Sequence, residues 1–198
     1  MKKIKILFVG VGGQGILLAT RVLAEAALKD GVPVVASEVH GMAQRGGVVE
    51  ANVLLGGYRS PLIAEGEADI LVSFEPVEAL RALNRCHEKS IIITSTSPLE
   101  PFTVKSGLAS YPEIEPALSR IRDSFAKLVA YDAAALAREA GTAKAVNIAL
   151  LGTLMATDMV PVSSQTVRET LARLVKAKFR EANLKAFELG WQQWVAQR

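Results

Sequence analysis

The chain opens with Ile4-Lys5-Ile6-Leu7-Phe8-Val9-Gly10-Val11-Gly12-Gly13-Gln14-Gly15, an apolar run that ends in a cluster of glycines. A short run of apolar and β-branched residues bounded by glycine is typical of a buried strand. The glycines have the spacing G-x-G-x-x-G, which in α/β proteins marks the turn from a strand into a helix. The sequence therefore predicts a strand over residues 4–9 followed by a tight turn.

The following residues complete a strand–helix–strand unit. From Gln14 to Lys29 the sequence predicts a helix with one apolar and one charged face, and Pro33 to Ser37 follows as a second strand. The apolar row is Ile16, Ala19, Leu23 and Ala26, and the charged row is Arg21, Glu25 and Lys29. Two strands connected by a helix are expected to lie parallel in one sheet.

Strands and helices continue to alternate along the rest of the chain. Strands are predicted at 48–55, 69–74, 90–94 and 128–131, and helices at 76–84, within 114–127, at 133–140 and at 147–157, with two more in 162–197. The short link before the strand at 48–55 favours an antiparallel return. We therefore expect one domain, residues 1–198, with an α/β, Rossmann-like fold. Its open sheet should be mostly parallel and flanked by helices, with one antiparallel strand and a helical C-terminus.

Composition narrows the possible functions. The chain has 198 residues, enough for one core, and its net charge of +3 is too small to indicate nucleic-acid binding. The single cysteine, Cys86, cannot form an internal disulfide or hold an iron–sulfur cluster, which needs about four ligands. Its apolar runs are shorter than the ~20 residues needed to span a bilayer. The apolar run near the N-terminus is also too short for a signal peptide. We expect a soluble, cytoplasmic protein that binds neither nucleic acid nor membrane.

The glycine turn has two interpretations. Glycines allow backbone N–H groups to approach a phosphate, and a helix N-terminus adds partial positive charge. Glu38, after the second predicted strand, is placed where the ribose-binding acid of a dinucleotide site is expected. A tight turn, however, needs glycine for steric reasons alone. On the motif alone, NAD or FAD binding and a purely structural turn are equally supported.

A second polar segment contains further glycines: Ser37-Glu38-Val39-His40-Gly41-Met42-Ala43-Gln44-Arg45-Gly46-Gly47. Open sheets bind ligands beyond the carboxyl ends of their strands. We expect this loop and the glycine turn to follow two adjacent parallel strands, so that both lie at the same edge of the sheet. His40, Gln44 and Arg45 offer hydrogen-bond donors there, and the glycines allow a neighbour to come close. An ordinary surface turn with a hydrogen-bonded His40 is the alternative.

Together the two motifs resemble the gamma-type subunit of the 2-oxoacid:ferredoxin oxidoreductases. Within that family, the form His40-Gly41-Met42-Ala43-Gln44-Arg45-Gly46-Gly47 is most similar to the beta subunit of the indolepyruvate ferredoxin oxidoreductases. Further matching segments are Ser60–Ile63, Gly66–Leu71, Glu75-Pro76, Glu78–Arg81, Asn147 and Asn183–Gly190. The resemblance covers nearly the whole chain, and the two glycine-containing motifs are specific as a pair.

The resemblance implies an assembly that decarboxylates a 2-oxoacid, here an aryl pyruvate, on thiamine diphosphate. It passes electrons through iron–sulfur clusters to ferredoxin and releases an acyl-coenzyme A. A large alpha subunit is expected to carry thiamine diphosphate, magnesium and the clusters, so this chain should bind no cofactor alone and meet ferredoxin only indirectly. Its two loops would be walls of the active-site or coenzyme A cleft. The residues implied there are Gly10, Gly12, Gly13, Gln14, Gly15, Ser37, Glu38, His40, Gly41, Met42, Gln44, Arg45, Gly46 and Gly47.

Missing chemistry agrees with this reading. The sequence has no Gly-Asp-Gly, the start of the usual thiamine diphosphate motif. His87 is expected at a polar helix end, and Cys86 beside it as a half-buried packing residue, so no catalytic or metal-binding residue is assigned. Two rivals remain: a stand-alone NAD- or FAD-dependent oxidoreductase, and a non-catalytic binding or scaffold module.

Overall fold

A computed structural model describes residues 2–41, 47–100, 104 and 106–198 of the chain. These residues form a six-stranded mixed sheet with helices on both faces, which confirms the α/β fold class. The strands are β1 (Ile4–Val11), β2 (Val34–His40), β3 (Val48–Leu55), β4 (Ala68–Ser73), β5 (Cys86–Ser95) and β6 (Lys127–Tyr131).

The order of the strands is β2-β3-β1-β4-β5-β6, and β3 alone runs antiparallel to its neighbours. The antiparallel strand over residues 48–55 was thus predicted with its observed bounds. The expectation that β1 and β2 are adjacent is wrong: they run in the same direction, but β3 lies between them. Because β3 is largely buried and β2 largely exposed, the more apolar strand occupies the interior of the sheet and β2 its edge.

Seven α-helices belong to the part of the chain that the structure describes. They are α1 (Ile16–Lys29), α2 (Pro76–Ala82), α3 (Ile114–Ser124), α4 (Ala133–Glu139), α5 (Val146–Ala156), α6 (Ser164–Leu174) and α7 (Arg180–Ala196). Short 3-10 turns at Leu83–Arg85, Ala143–Ala145 and Ala177–Phe179 lie next to α2, α5 and α7. Ser163 caps α6, because its side chain accepts a hydrogen bond from the Gln165 N–H. Within the same described ranges, no helix is both long and apolar enough to span a membrane.

Two hydrophobic cores lie on the two faces of the sheet. On the first face, α1, α5, α6 and α7 cover alternate residues of the strands, including Phe8 and Val53. On the second face, α2 and α3 cover the other set, including Leu7 and Leu71. The helices that follow the adjacent parallel strands β1 and β4 therefore lie on opposite faces, which places a topological switch point between those strands.

The C-terminal helices are part of the first core. Helices α5 and α7 cross so closely that a Cβ atom on Gly190 would stand 1.8 Å from the Ala149 carbonyl oxygen. At the same crossing, a Cβ atom on Gly152 would stand 2.0 Å from the carbonyl oxygen of Phe187. Thr153 Oγ1 donates a hydrogen bond of 2.7 Å to the Gly190 carbonyl. Glycine at these two positions is required by the close approach of the backbones.

Two boundaries differ from the sequence prediction. Strand β2 continues through His40, although a loop was expected from Glu38 onward. Strand β5 begins at Cys86, so the expected polar helix end around His87 is wrong. An irregular register between Ala68 and Ile70 of β4 accommodates the additional polar residues of β5, as a bulge does. Both errors concern polar residues at partly exposed ends of strands, where side chains reach solvent without leaving the sheet.

Candidate functional site

The carboxyl edge of β1 and β4 is the candidate site. The glycine turn follows β1, and Phe74 and Glu75 follow β4, the next strand in the sheet. Helices α1 and α2 then lie on opposite faces of the sheet. In open α/β sheets, ligands usually bind where the helices that follow two adjacent parallel strands diverge in this way.

Gln14 closes the glycine turn with its side chain. Its Oε1 accepts a hydrogen bond of 2.7 Å from the Val11 N–H, and its Nε2 donates one of 2.9 Å to the Phe74 carbonyl. A Cβ atom on Gly10 would stand 2.7 Å from Gln14 Oε1 and 2.9 Å from the Phe74 Cβ atom. Gly10 is therefore needed to make room for this clamp between the carboxyl ends of β1 and β4.

Backbone hydrogen bonds join the glycine turn to the end of the second loop. The Gly12 N–H donates a hydrogen bond of 2.9 Å to the Gly47 carbonyl, and the Gln14 N–H donates one of 3.2 Å to the Val11 carbonyl. Gly13 has φ of +98°, which favours glycine. The structure thus brings together Gly12 and Gly47, and two N–H groups of the turn are used within the protein.

Helix α1 begins with Gly15 at its N-cap, in the left-handed region with φ of +79°. No side chain caps this end, and its first turn has no acidic residue. Asn147, at the start of α5 and buried, donates from Nδ2 to the Gly15 carbonyl over 2.9 Å. Asn147 therefore fixes the first turn of α1 from the first core. The helix end keeps a positive partial charge that suits an anionic group.

The residues predicted at the end of β2 lie away from the glycine turn. Glu38 and His40 are exposed on the edge strand, and β3 separates them from β1. Two strand spacings, about 9–10 Å, therefore lie between β2 and β1. Ser37 points to the second face, where its Oγ donates to the Pro61 carbonyl and accepts from Asn52 Nδ2, each at 3.3 Å. Glu38 is thus not beside the turn, as a ribose-binding acid would need to be.

Of the glycines in the second loop, Gly41 extends the pairing of β2 with β3, because its N–H donates a hydrogen bond of 2.8 Å to the Val48 carbonyl. Residues 42–46 are outside the described ranges, so the structure does not place part of the predicted loop. The predicted site residues concerned are Met42, Gln44, Arg45 and Gly46.

A buried carboxylate at the same edge was not predicted. Glu75 is 2% exposed and caps α2, because one of its carboxylate oxygens accepts a hydrogen bond of 3.0 Å from the Glu78 N–H. Its other oxygen accepts from the Tyr111 hydroxyl and from the Leu99 N–H. Burial raises the pKa of the Glu78 carboxyl, while the Arg81 guanidinium at 2.6 Å acts to lower that pKa. Burial and the hydrogen bond to Glu75 both raise the pKa of Tyr111.

Sequence contained a partial signal for this cluster. An acidic residue directly before a proline that follows a strand is a common helix start, and Glu75-Pro76 has that pattern. Tyr111 had no comparable signal, because it reaches Glu75 from a point 36 residues further along the chain. The cluster holds the segment before α3 against the candidate site.

Cys86 and His87 have structural surroundings. Cys86 is buried among apolar residues of the second core, and burial raises the pKa of its thiol to about 12. It is therefore a packing residue, more deeply buried than expected. His87 is half-buried on β5, with Nε2 3.7 Å from a carboxylate oxygen of Asp69. Across the described ranges, no three His, Cys, Asp or Glu side chains are grouped as metal ligands would be.

Comparison with known proteins adds to this geometry. The chain matches the family described as pyruvate ferredoxin/flavodoxin oxidoreductase over residues 5–193. It is 43% identical over 192 residues to the indolepyruvate oxidoreductase subunit IorB of Pyrococcus horikoshii, covering 96% of this chain and 95% of that protein. It is 26% identical over 191 residues to the ketoisovalerate oxidoreductase subunit VorA of Methanothermobacter marburgensis, covering 96% of this chain and 36% of that protein.

The fold itself recurs in solved structures. The gamma subunit of a keto/oxoacid ferredoxin oxidoreductase from Geobacter sulfurreducens superposes with a TM-score of 0.72 at 24% identity. The superposition covers 98% of this chain and 99% of that one. At this level of identity the likeness establishes the architecture.

Proposed function

Because the chain belongs to the pyruvate ferredoxin/flavodoxin oxidoreductase family, we propose that it is the small subunit of an indolepyruvate-type oxidoreductase. The observation that carries the substrate class is the 43% identity with an indolepyruvate oxidoreductase subunit, along 96% of this chain. The reaction is the oxidative decarboxylation of an aryl pyruvate to an acyl-coenzyme A, with ferredoxin as the electron acceptor.

The partner is a large subunit that binds thiamine diphosphate, magnesium and the iron–sulfur clusters. The chain's own residues support this division, because it has one cysteine and no Gly-Asp-Gly sequence. The match with VorA supports it independently. There a segment similar to this chain makes up 36% of a longer subunit of an oxidoreductase. A domain similar to this chain can therefore be joined to the remainder of an oxidoreductase subunit, which is compatible with close packing against a large subunit.

The role proposed for this chain is to form one wall of the active-site or coenzyme A cleft. The Gly12–Gly47 hydrogen bond supports a shared wall, since it joins the glycine turn to the end of the second loop. The first turn of α1 supports a ligand with phosphates, because it has neither a capping side chain nor an acidic residue. Arg45 would complete the wall from within the second loop.

Reconstitution tests the proposed function. The chain is purified alone and with the large subunit, and coenzyme A-dependent reduction of ferredoxin is measured with indolepyruvate, phenylpyruvate, pyruvate and 2-oxoglutarate. We expect a colourless, inactive chain alone and an active complex with the highest kcat/KM for the aryl pyruvates. Iron-containing, active preparations of the chain alone would contradict the proposed subunit role. A complex that prefers pyruvate would contradict the substrate class only.

A further inference from the structure

A cavity of about 430 Å³ lies between α2 and α3, on the second face of the sheet. Its walls are largely apolar, with Leu80 and Leu83 on one side and Pro116, Ile121 and Phe125 on the other. Small-molecule sites have volumes of roughly 300–1,000 Å³ and combine mostly apolar walls with a few polar groups. The cavity is therefore suited to a small molecule rather than to a peptide or a helix.

Two charged side chains of opposite sign also line this cavity. They are Glu113 and Arg120, and both are exposed. Glu113 is at the N-cap position of α3, yet its carboxylate accepts no hydrogen bond from the helix. Within the described part of the chain, neither side chain has an ion pair or a hydrogen bond. Both charges are thus available to a ligand in the cavity.

The geometry of α3 places these two charges within reach of one molecule. Glu113 and Arg120 are seven residues apart, which is close to two turns and about 10.5 Å along the helix axis. Helical side chains lean toward the N-terminus, so a long side chain at position 120 covers the preceding turn and approaches Glu113. The gap that remains is suited to a molecule that carries an anionic and a cationic group close together.

We propose that the cavity binds a free α-amino acid with an apolar side chain. The carboxylate of this ligand pairs with the Arg120 guanidinium, whose parallel N–H groups suit a carboxylate. Its ammonium group pairs with the Glu113 carboxylate. Its side chain packs against Leu80, Leu83 and Phe125, which are only partly buried in the second core. Such a molecule satisfies both unpaired charges, whereas a simple carboxylic acid or a simple amine satisfies only one.

The proposed site is distinct from the candidate functional site. The candidate site lies where α2 begins, whereas Leu80 and Leu83 lie toward the other end of that helix and in the turn after it. The two are connected, because Tyr111, two residues before Glu113, donates a hydrogen bond to the buried Glu75 at the start of α2. A ligand that holds α3 against α2 therefore also stabilises this contact. The inference does not depend on the proposed function.

Calorimetric titration of the full chain with matched probes tests the ligand class. The probes are L-phenylalanine, L-leucine, hydrocinnamate, which lacks the ammonium group, and phenethylamine, which lacks the carboxylate. We expect saturable binding of one amino acid per chain. The two singly charged probes should bind about tenfold more weakly than L-phenylalanine, as expected for the loss of a charge-assisted hydrogen bond. The absence of saturable binding by both amino acids, or equal binding of L-phenylalanine and its two analogues, would overturn the inference.

Substitution of the two charges tests the location of the site. Arg120→Gln and Glu113→Gln should each weaken the binding of L-phenylalanine about tenfold. Arg120→Gln should in addition abolish the preference for L-phenylalanine over phenethylamine. Arg122→Gln is the matched control, because Arg122 is exposed on α3 but does not line the cavity, and it should leave binding unchanged. Binding that survives both substitutions, or that Arg122→Gln weakens equally, would show that the amino acid does not bind here.

Filling the cavity provides a second test of location. Ala117 lines the cavity from α3 and is half-buried, so Ala117→Phe should abolish the binding of L-phenylalanine. Ser119→Phe is the control, since Ser119 is exposed on the same helix outside the cavity, and it should bind normally. Circular dichroism checks that both variants are folded. Equal binding by the two variants would contradict the proposed site, and if Ala117→Phe does not fold, the charge substitutions decide the question.

Discussion

At the scale of single residues, Gln14 shows how a binding motif can serve the fold. Its side chain connects the Val11 N–H with the Phe74 carbonyl and so fastens β1 to β4 at the candidate site. Together with the internal hydrogen bonds of Gly12 and Gln14, this clamp accounts for much of the G-x-G-x-x-G pattern without a nucleotide. The position of Glu38 on the far side of β3 likewise disfavours a dinucleotide site.

Gln14→Ala should therefore lower the free energy of unfolding. The substitution leaves a buried donor and acceptor without their partner, which typically costs about 1–3 kcal/mol. Gln165→Ala is the matched control, because Gln165 forms an exposed surface hydrogen bond to Glu169, and its loss should cost less than about 0.5 kcal/mol. Urea denaturation followed by circular dichroism measures both. Equal losses would show that the clamp is unimportant to stability.

Arg45 is the residue of the second loop on which we expect function to depend most. A guanidinium can bind a carboxylate or a phosphate with two parallel hydrogen bonds. The flanking Gln44 and Gly46 should allow the Arg45 side chain to extend across an interface between subunits. Arg45→Ala should leave the thermal midpoint of the isolated chain unchanged. It should weaken assembly with the large subunit, by ~2 kcal/mol if Arg45 is an interface hot spot, or reduce coenzyme A-dependent turnover.

Arg122→Ala provides the comparison for Arg45. Arg122 is exposed on α3, on the second face of the sheet, and its loss should alter neither assembly nor turnover. Calorimetric titration with the large subunit and steady-state kinetics distinguish the two substitutions. If Arg45→Ala behaves like Arg122→Ala in both measurements, the second loop is an ordinary surface turn.

At the scale of elements, local patterns identified the strands and helices but not all of their neighbours. The apolar core of each element determines its type, which is why β3 was predicted from Val48 to Leu55 as observed. The insertion of β3 between β1 and β2 depends on which strand buries more apolar surface in the assembled sheet. Similarly, the polar start of β5 at Cys86 is a strand only because β4 pairs with it through an irregular register.

The same distinction holds for the candidate site. The glycine turn and its place at the carboxyl edge followed from the spacing of the glycines after a predicted strand. The cluster of Glu75, Tyr111 and Leu99 joins segments that are distant in sequence, so no local pattern reveals it. Contacts of this kind depend on the packing of α2 and α3 across the second face.

The crossing of α5 and α7 gives a prediction at this scale. In an ordinary helix, Gly→Ala stabilises by about 1 kcal/mol because alanine has the higher helix propensity. Gly190→Ala should instead destabilise by about 1–3 kcal/mol or more, because its methyl group would collide with the Ala149 carbonyl. Thermal and urea denaturation measure the sign directly. A variant as stable as the unsubstituted chain would show that the two helices can separate at little cost.

At the scale of the whole molecule, the first core joins the two ends of the chain. Side chains of β1 and α1 share it with those of α5, α6 and α7. Two ion pairs on the surface, Lys29–Glu169 and Arg173–Glu25, each at 2.5 Å, also connect α1 to α6. Residues 1–198 are therefore expected to unfold as one domain, and the helical C-terminus should not be a separable extension.

The two tryptophans allow this expectation to be tested without a label. Trp191 and Trp194 both lie on α7, so their fluorescence reports the C-terminal helix, whereas far-ultraviolet circular dichroism reports all helices and strands. The Arg168 guanidinium, 5.5 Å from the Trp191 ring and 4.9 Å from that of Phe187, joins α6 to the same helix. In urea the two signals should change with the same midpoint and slope, because α7 cannot unfold or detach without exposing the core around α5 to solvent. If the fluorescence changed at lower urea than the circular dichroism, α7 would unfold before the sheet, and the chain would comprise an independently stable Rossmann-like domain with a less stable C-terminal extension.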